Sequence, residues 1–138
     1  LFCFSRELSE PVISTIYFAG QNNFSNELID IAGGVNVSKE RRIAYPQVSP
    51  DGISKMNPNI IIDLVGDKSY YHSKDKIDLE TIFSTKYLKN QWERSVSADA
   101  VKRGRIAVMN GTVYLRPGPR VGEVLRSFAE AIHPEIKR

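Results

Sequence analysis

The sequence predicts an α/β fold: a three-layer sandwich in which a mostly parallel central sheet is covered by helices. Three observations carry that expectation. Strand-like runs alternate with helix-like runs, the order from which parallel sheets with crossover helices are built. The run NIIIDLV (59–65) is nearly continuously apolar over the length of one strand, as expected for a strand covered on both faces. The helical runs carry their own start and stop signals. At 138 residues the chain has the size of one domain, so residues 1–138 are expected to form a single compact unit.

In chain order, LFCFS (1–5) and STIYF (14–18) read as strands joined by the polar connector RELSEP. QNNFSNELIDIAGG follows, with Phe24, Leu28 and Ile31 at i, i+4 and i+7, Asn23 available as cap, and Gly33 and Gly34 ending the helix. A short helix is expected next, with Ser49 as N-cap, Pro50 in its first position and Ile53 and Met56 on one face, stopped before Pro58. After the strand at 59–65 and the polar stretch GDKSYYHSKDK, a helical segment directs Leu79, Ile82, Phe83, Leu88 and Trp92 to the core. RIAVMNGTVYL holds two short strand runs about Asn110-Gly111, a tight-turn signal. Val121, Val124, Leu125, Phe128 and Ile132 then form a wide apolar stripe on a last helix closed by Pro134.

Composition excludes several classes. Charge is nearly balanced, 19 Lys and Arg against 16 Asp and Glu, and the basic residues are scattered, whereas nucleic-acid binding calls for one basic stripe interleaved with aromatics. No stretch approaches the roughly 20 apolar residues that span a bilayer. Cys3 is the one cysteine, so no intrachain disulfide and no cysteine-based metal site are expected, and its place in an apolar strand marks it as buried and inert. The chain opens inside a strand without Met or signal peptide, which leads us to expect that a targeting segment and a larger N-terminal region precede it in the whole protein.

Catalysis would need a nucleophile and base, a metal cluster or paired acids, and the inventory is thin. His133 closes the last helix, where a contact with the helix dipole accounts for it. No G-x-S-x-G, P-loop, G-x-G-x-x-G or H-E-x-x-H occurs, so no catalytic residue, resident metal or cofactor is expected. Ligands of open α/β sheets lie beyond the carboxyl ends of strands, which directs attention to the loops after residues 18, 65 and 115. Those loops carry Gln21, Asn22 and Asn23; Asp67, Tyr70, Tyr71 and His72; then Arg116 and Arg120, groups suited to hydrogen bonding and stacking. In RPGPR, Pro119 presets a helical turn, Gly118 can cap it and Pro117 stiffens the approach, so Arg116 stands near a positive helix end that favours anions. The plainer reading is that Arg120 forms a surface ion pair and the prolines only start a helix. Asp51, in the first turn after Ser49, is a stabilising charge at a helix N-terminus on the same plain terms.

Three segments in order, YFAGQNNFSNELIDIAGGVNVS, YPQVSPDGISKMNPNIIIDL and AVKRGRIAVMNGTVYLRPGPRVGEVLRSFAEAIHPE, resemble the C-terminal lobe of ABC-importer periplasmic substrate-binding proteins for ferric siderophores, haem and cobalamin. The resemblance runs from about Ile16 to Glu135. It implies a receptor of two Rossmann-like α/β lobes joined by a long helix, with this chain as the C-terminal lobe, the N-terminal lobe lying outside it, and the ligand in the cleft. It further implies that Tyr45, Tyr114 and Arg116 face that cleft. Asp51 falls where the family places an acidic residue opposite permease arginines, although glutamate is common there and Gly52 makes the helix start less regular. The partners implied are a metal chelate (ferric siderophore first, haem or cobalamin next) and an inner-membrane permease. The place implied is the periplasm, or the outer surface as an anchored lipoprotein, and the form a monomer.

The expected ligand contacts are therefore Asn22, Tyr45, Tyr71, His72, Tyr114 and Arg116, with Asp51 for docking. Two other classes stay open. An enzyme on a similar sheet would show turnover that disappears with His72→Ala. A protein-interaction domain would lose its partner with Asp51→Arg and bind no small ligand.

Overall fold

The computed structural model describes residues 1–6, 12–21, 23–38, 42–65, 85–110 and 118–136. Five strands, β1 (Phe2–Arg6), β2 (Ile16–Phe18), β3 (Gln47–Val48), β4 (Ile61–Val65) and β5 (Ile106–Asn110), form one sheet in the order β3-β2-β1-β4-β5. The helices are α1 (Phe24–Ile31), α2 (Pro50–Met56), α3 (Thr85–Ser95), α4 (Asp99–Lys102) and α5 (Val121–Ile132), followed by a 3₁₀ turn over Pro134–Ile136.

β1, β4 and β5 are parallel neighbours, as the alternating pattern predicts. β2 runs antiparallel to β1, and β3 antiparallel to β2, so the sheet is mixed. The connection from β1 to β2 is the physical cause of the first reversal: it is shorter than the dozen or more residues a parallel crossover needs.

Alternation along the strands divides the interior into two layers. On one face Phe2, Ile62, Leu64 and Met109 pack with Leu28 and Ile29 of α1 and Val124 and Phe128 of α5. The Phe2 and Phe128 rings lie 5.3 Å apart at 43°, a tilted pair of the favourable kind. On the other face Cys3, Ile16, Phe18, Ile61 and Ile106 meet Ile53 of α2, Trp92 of α3 and Ala100 of α4. Every residue of β4 is buried, and Cys3 is wholly so.

Two details differ from the sequence pattern. Ile31 is 68% exposed; the inward stripe of α1 is Ser25, Leu28, Ile29 and Ala32, again an i, i+3, i+4, i+7 set but begun one residue later. The last helix starts at Val121 rather than at Pro119, because Gly118 to Arg120 form a turn closed by Val121 N–H on the Gly118 carbonyl at 3.0 Å. Val121 is consequently exposed at the helix start. Leu88 and Trp92 are fully buried as expected, whereas Leu79, Ile82, Phe83 and the turn after Asn110 lie outside the described residues.

The apolar strand β4 also carries a carboxylate. Asp63 is completely buried, and the Trp92 indole Nε1–H donates to its Oδ2 at 2.9 Å. A buried acceptor that loses one of its donors costs on the order of 1–3 kcal/mol, and removing part of a buried ring adds a cavity term. Trp92→Phe is therefore expected to lower unfolding free energy by about 2–4 kcal/mol in urea titrations.

Candidate functional site

The loop after β2 is fastened by side-chain amides. Asn23 caps α1: its Oδ1 accepts from Asn26 N–H at 2.8 Å, and its Nδ2 donates to the carbonyls of Gly20 at 3.0 Å and Ala44 at 2.7 Å. Asn26 Nδ2 donates to the Gln21 carbonyl at 3.0 Å, and Gln21 Nε2 reaches the Ser38 carbonyl at 2.7 Å. Beneath them Asn36, buried, donates from Nδ2 to the carbonyls of Ala19 at 3.0 Å and Gly20 at 2.9 Å and to Asn26 Oδ1 at 3.1 Å. Its own Oδ1 accepts from Ser38 N–H at 3.1 Å. Charge-free donors and acceptors satisfy one another here, as a polar cluster under a loop must.

Next to this cluster a polar-aromatic strip runs along the β2–β3 edge. Tyr17 and Gln47 are opposite one another in the ladder, and Gln47 Nε2 donates to the Tyr17 hydroxyl at 2.7 Å. Tyr17 is 42% exposed, a large aromatic left partly open to solvent. Tyr45 lies two residues before Gln47, packs half-buried against the α1 layer and sets its hydroxyl 3.4 Å from Ser25 Oγ. Sequence reasoning named Tyr45 but passed over Tyr17, which read only as a strand residue. Its signal was an aromatic alternating with the inward Ile16 and Phe18 of the strand.

Asp51 stands exposed in the first turn of α2, on a helix whose Ile53 enters the opposite core layer from Tyr45. Pro50 occupies the helix start, and Ser49 Oγ accepts from Gly52 N–H at 3.3 Å. Gly52, which looked like an irregularity, has a packing cause: a Cβ there would sit 2.5 Å from Val48 Cγ2. The glycine lets β3 and α2 turn tightly and fixes where Asp51 is presented. Gly52→Ala is expected to cost about 1–3 kcal/mol by overpacking, read as a lower melting temperature, with partial recovery in Val48→Ala/Gly52→Ala.

The sheet direction corrects one inference about loops. Because β2 is antiparallel, Phe18 is level with Cys3 and Ala19 N–H bonds the Phe2 carbonyl at 2.9 Å, so the loop after residue 18 lies at the amino ends of β1, β4 and β5. The chain leaves β4 and β5 at the other end of the sheet. Asn22, Tyr71, His72, Tyr114 and Arg116 themselves lie outside the described residues, although both neighbours of Asn22 are anchored as above. Arg120 takes the plainer of its two readings, pairing with Glu123 at 2.8 Å on the surface.

An apolar cavity of about 270 Å³ opens among Leu1, Ile29, Gly34, Ile60, Ile62 and Ile132, and neither Tyr45 nor Asp51 lines it. Among the described residues no cluster of His, Cys, Asp and Glu has the makings of a metal site, and no helix is long and apolar enough to cross a membrane. The arrangement offers aromatic faces, amide donors and one presented carboxylate, which is the chemistry of recognition.

No protein-family model matches the chain. It is 28% identical over 119 residues to a cobalamin-binding protein of Halobacterium salinarum, covering 85% of this chain and 29% of that protein. It is 25% identical over 120 residues to the uncharacterized ABC transporter substrate-binding lipoprotein YvrC of Bacillus subtilis, covering 87% of this chain and 32% of that protein. Among solved structures, a possible iron-binding, periplasmic solute-binding protein of Staphylococcus epidermidis matches with a TM-score of 0.59 at 26% identity, over 96% of this chain and 43% of that one. The chain spans about a third of the length of these curated relatives. In sequence and in fold the chain is thus similar to part of the substrate-binding proteins of ABC transporters, among them cobalamin-binding and possible iron-binding members.

Proposed function

We propose that the chain is the C-terminal lobe of a two-lobed receptor that captures a metal chelate and delivers it to the membrane permease of an ABC importer. The observation that carries this reading is similarity to such receptors over 85% or more of the chain in sequence, joined to the same α/β fold. The tyrosines and arginine at the expected contacts favour a ferric siderophore, catecholate or otherwise anionic, with haem and cobalamin as the other members of the class. In this reading Tyr45 and the Tyr17–Gln47 pair offer stacking and hydrogen-bonding surface beside the loop that carries Asn22, and Tyr71, His72, Tyr114 and Arg116 supply further contacts where the chain returns to that end of the sheet after β4 and β5. Closure of a second lobe excludes water and strengthens those contacts, with no bond made or broken.

Asp51 serves the hand-over. An exposed carboxylate at a rigid, capped helix start is a point charge that permease arginines can engage. The receptor works outside the cytoplasm, in the periplasm or as a lipoprotein on the outer surface, and as a monomer.

The test is a fluorescence titration of the two-lobed protein with ferric enterobactin, haemin and cyanocobalamin. Trp92 is wholly buried, so quenching would report energy transfer to an absorbing chelate rather than contact with it. One compound should bind saturably, and Tyr45→Ala should weaken it by roughly tenfold, about 1.4 kcal/mol. Asp51→Arg should leave that affinity unchanged while abolishing permease-dependent uptake. Absence of binding by all three compounds would overturn the reading and favour a protein-interaction domain.

A further inference from the structure

Resting on that reading, we infer that Asn36 is a positioning residue: without touching ligand, its buried carboxamide sets where the β2–α1 loop and Tyr45 stand. Asn36 is 5% exposed and follows the end of α1, buried beneath the loop rather than on the exposed strip of Tyr17 and Gln47. Its orientation is fixed by its partners. The oxygen must face Ser38 N–H, which leaves the nitrogen facing the carbonyls of Ala19 and Gly20 and the side-chain oxygen of Asn26.

Holding two successive carbonyls on one nitrogen pins the loop backbone at Ala19 and Gly20. Gly20 N–H in turn donates to the Ala44 carbonyl at 2.9 Å, and Asn23 Nδ2 donates to the same oxygen at 2.7 Å. Ala44 is the residue before Tyr45. A short path of hydrogen bonds thus leads from Asn36 through Gly20 to the backbone that carries the aromatic ring, and a displaced loop would displace the ring.

Asn36→Asp tests this almost isosterically. It keeps the acceptor for Ser38 N–H but turns the donor into an oxygen facing three oxygens, so the loop must move or rehydrate. Val96→Ala is the control, a core truncation in the opposite layer that lowers stability. Two readouts are taken, at a temperature where every variant is folded. The first is affinity of the two-lobed protein for ferric enterobactin, haemin and cyanocobalamin. The second, free of ligand, is amide hydrogen exchange at Gly20 against Ile62 of β4.

Asn36→Asp is expected to weaken the bound compound by tenfold or more and to speed Gly20 exchange by a similar factor, with Ile62 unchanged. Val96→Ala should lower the melting temperature and leave affinity within about twofold. Wild-type affinity in Asn36→Asp, equal affinity loss in both variants, or unchanged Gly20 exchange would each overturn the inference. If the wild-type protein binds none of the three probes, the proposed function fails instead, and Gly20 exchange alone decides whether Asn36 holds the loop.

Discussion

Strand β4 is the constraint on which the architecture depends. It is hydrogen-bonded on both edges, to β1 and β5, and buried on both faces along its whole length. A two-layer arrangement would leave one row of isoleucine and leucine in water. Burial of such a side chain is worth about 1.5–3 kcal/mol, so helices must cover both faces, and the two core layers follow. α1 and α5 take the side of Ile62 and Leu64; α2, α3 and α4 take the side of Ile61. The same constraint makes Asp63 conspicuous, since a carboxylate in this position survives only with donors such as the Trp92 indole, and it ties α3 to one register against the sheet.

Where the sheet stops being parallel, apolar packing no longer suffices and side-chain amides take over. β2 and β3 are short, three and two residues, so their ladders provide few backbone bonds. Asn23, Asn26 and Asn36 supply the missing ones, joining the loop after β2 to the segment before β3. The proposed receptor role would benefit from this construction. Loops held before ligand arrives lose less conformational freedom on binding, and the saving appears as affinity.

The fold was largely legible because its signals are local. Continuous apolar character over 59–65, Ser49-Pro50 and Asn23 as caps, and Leu88 with Trp92 as a helical face all lead to the observed elements. What was not legible depends on tertiary partners. Nothing in FSNELIDI separates a stripe beginning at Phe24 from one beginning at Ser25; the choice is made by the packing of α1 against α5. Strand direction is similarly silent in the letters STIYF, and only the short connection from β1 hinted that β2 must turn back. The role of Gly52 depends on Val48, a neighbour that becomes close only when β3 and α2 meet.

For the candidate site the division is sharper. Tyr45 and Asp51 were identified through resemblance, not through periodicity, because an aromatic before a proline and an acid after a cap have ordinary structural explanations of their own. Their surroundings separate them. Tyr45 shares its face of the sheet with Tyr17 and Gln47 and is half-buried, whereas Asp51 stands exposed on a helix of the opposite layer. One lobe surface therefore presents two distinct chemistries, an aromatic-amide strip and an isolated carboxylate, carried by rigid elements that meet at β3. The function proposed above has one partner held while another is engaged, and two surfaces on opposite layers of one short β-turn-helix unit are compatible with both being occupied at once.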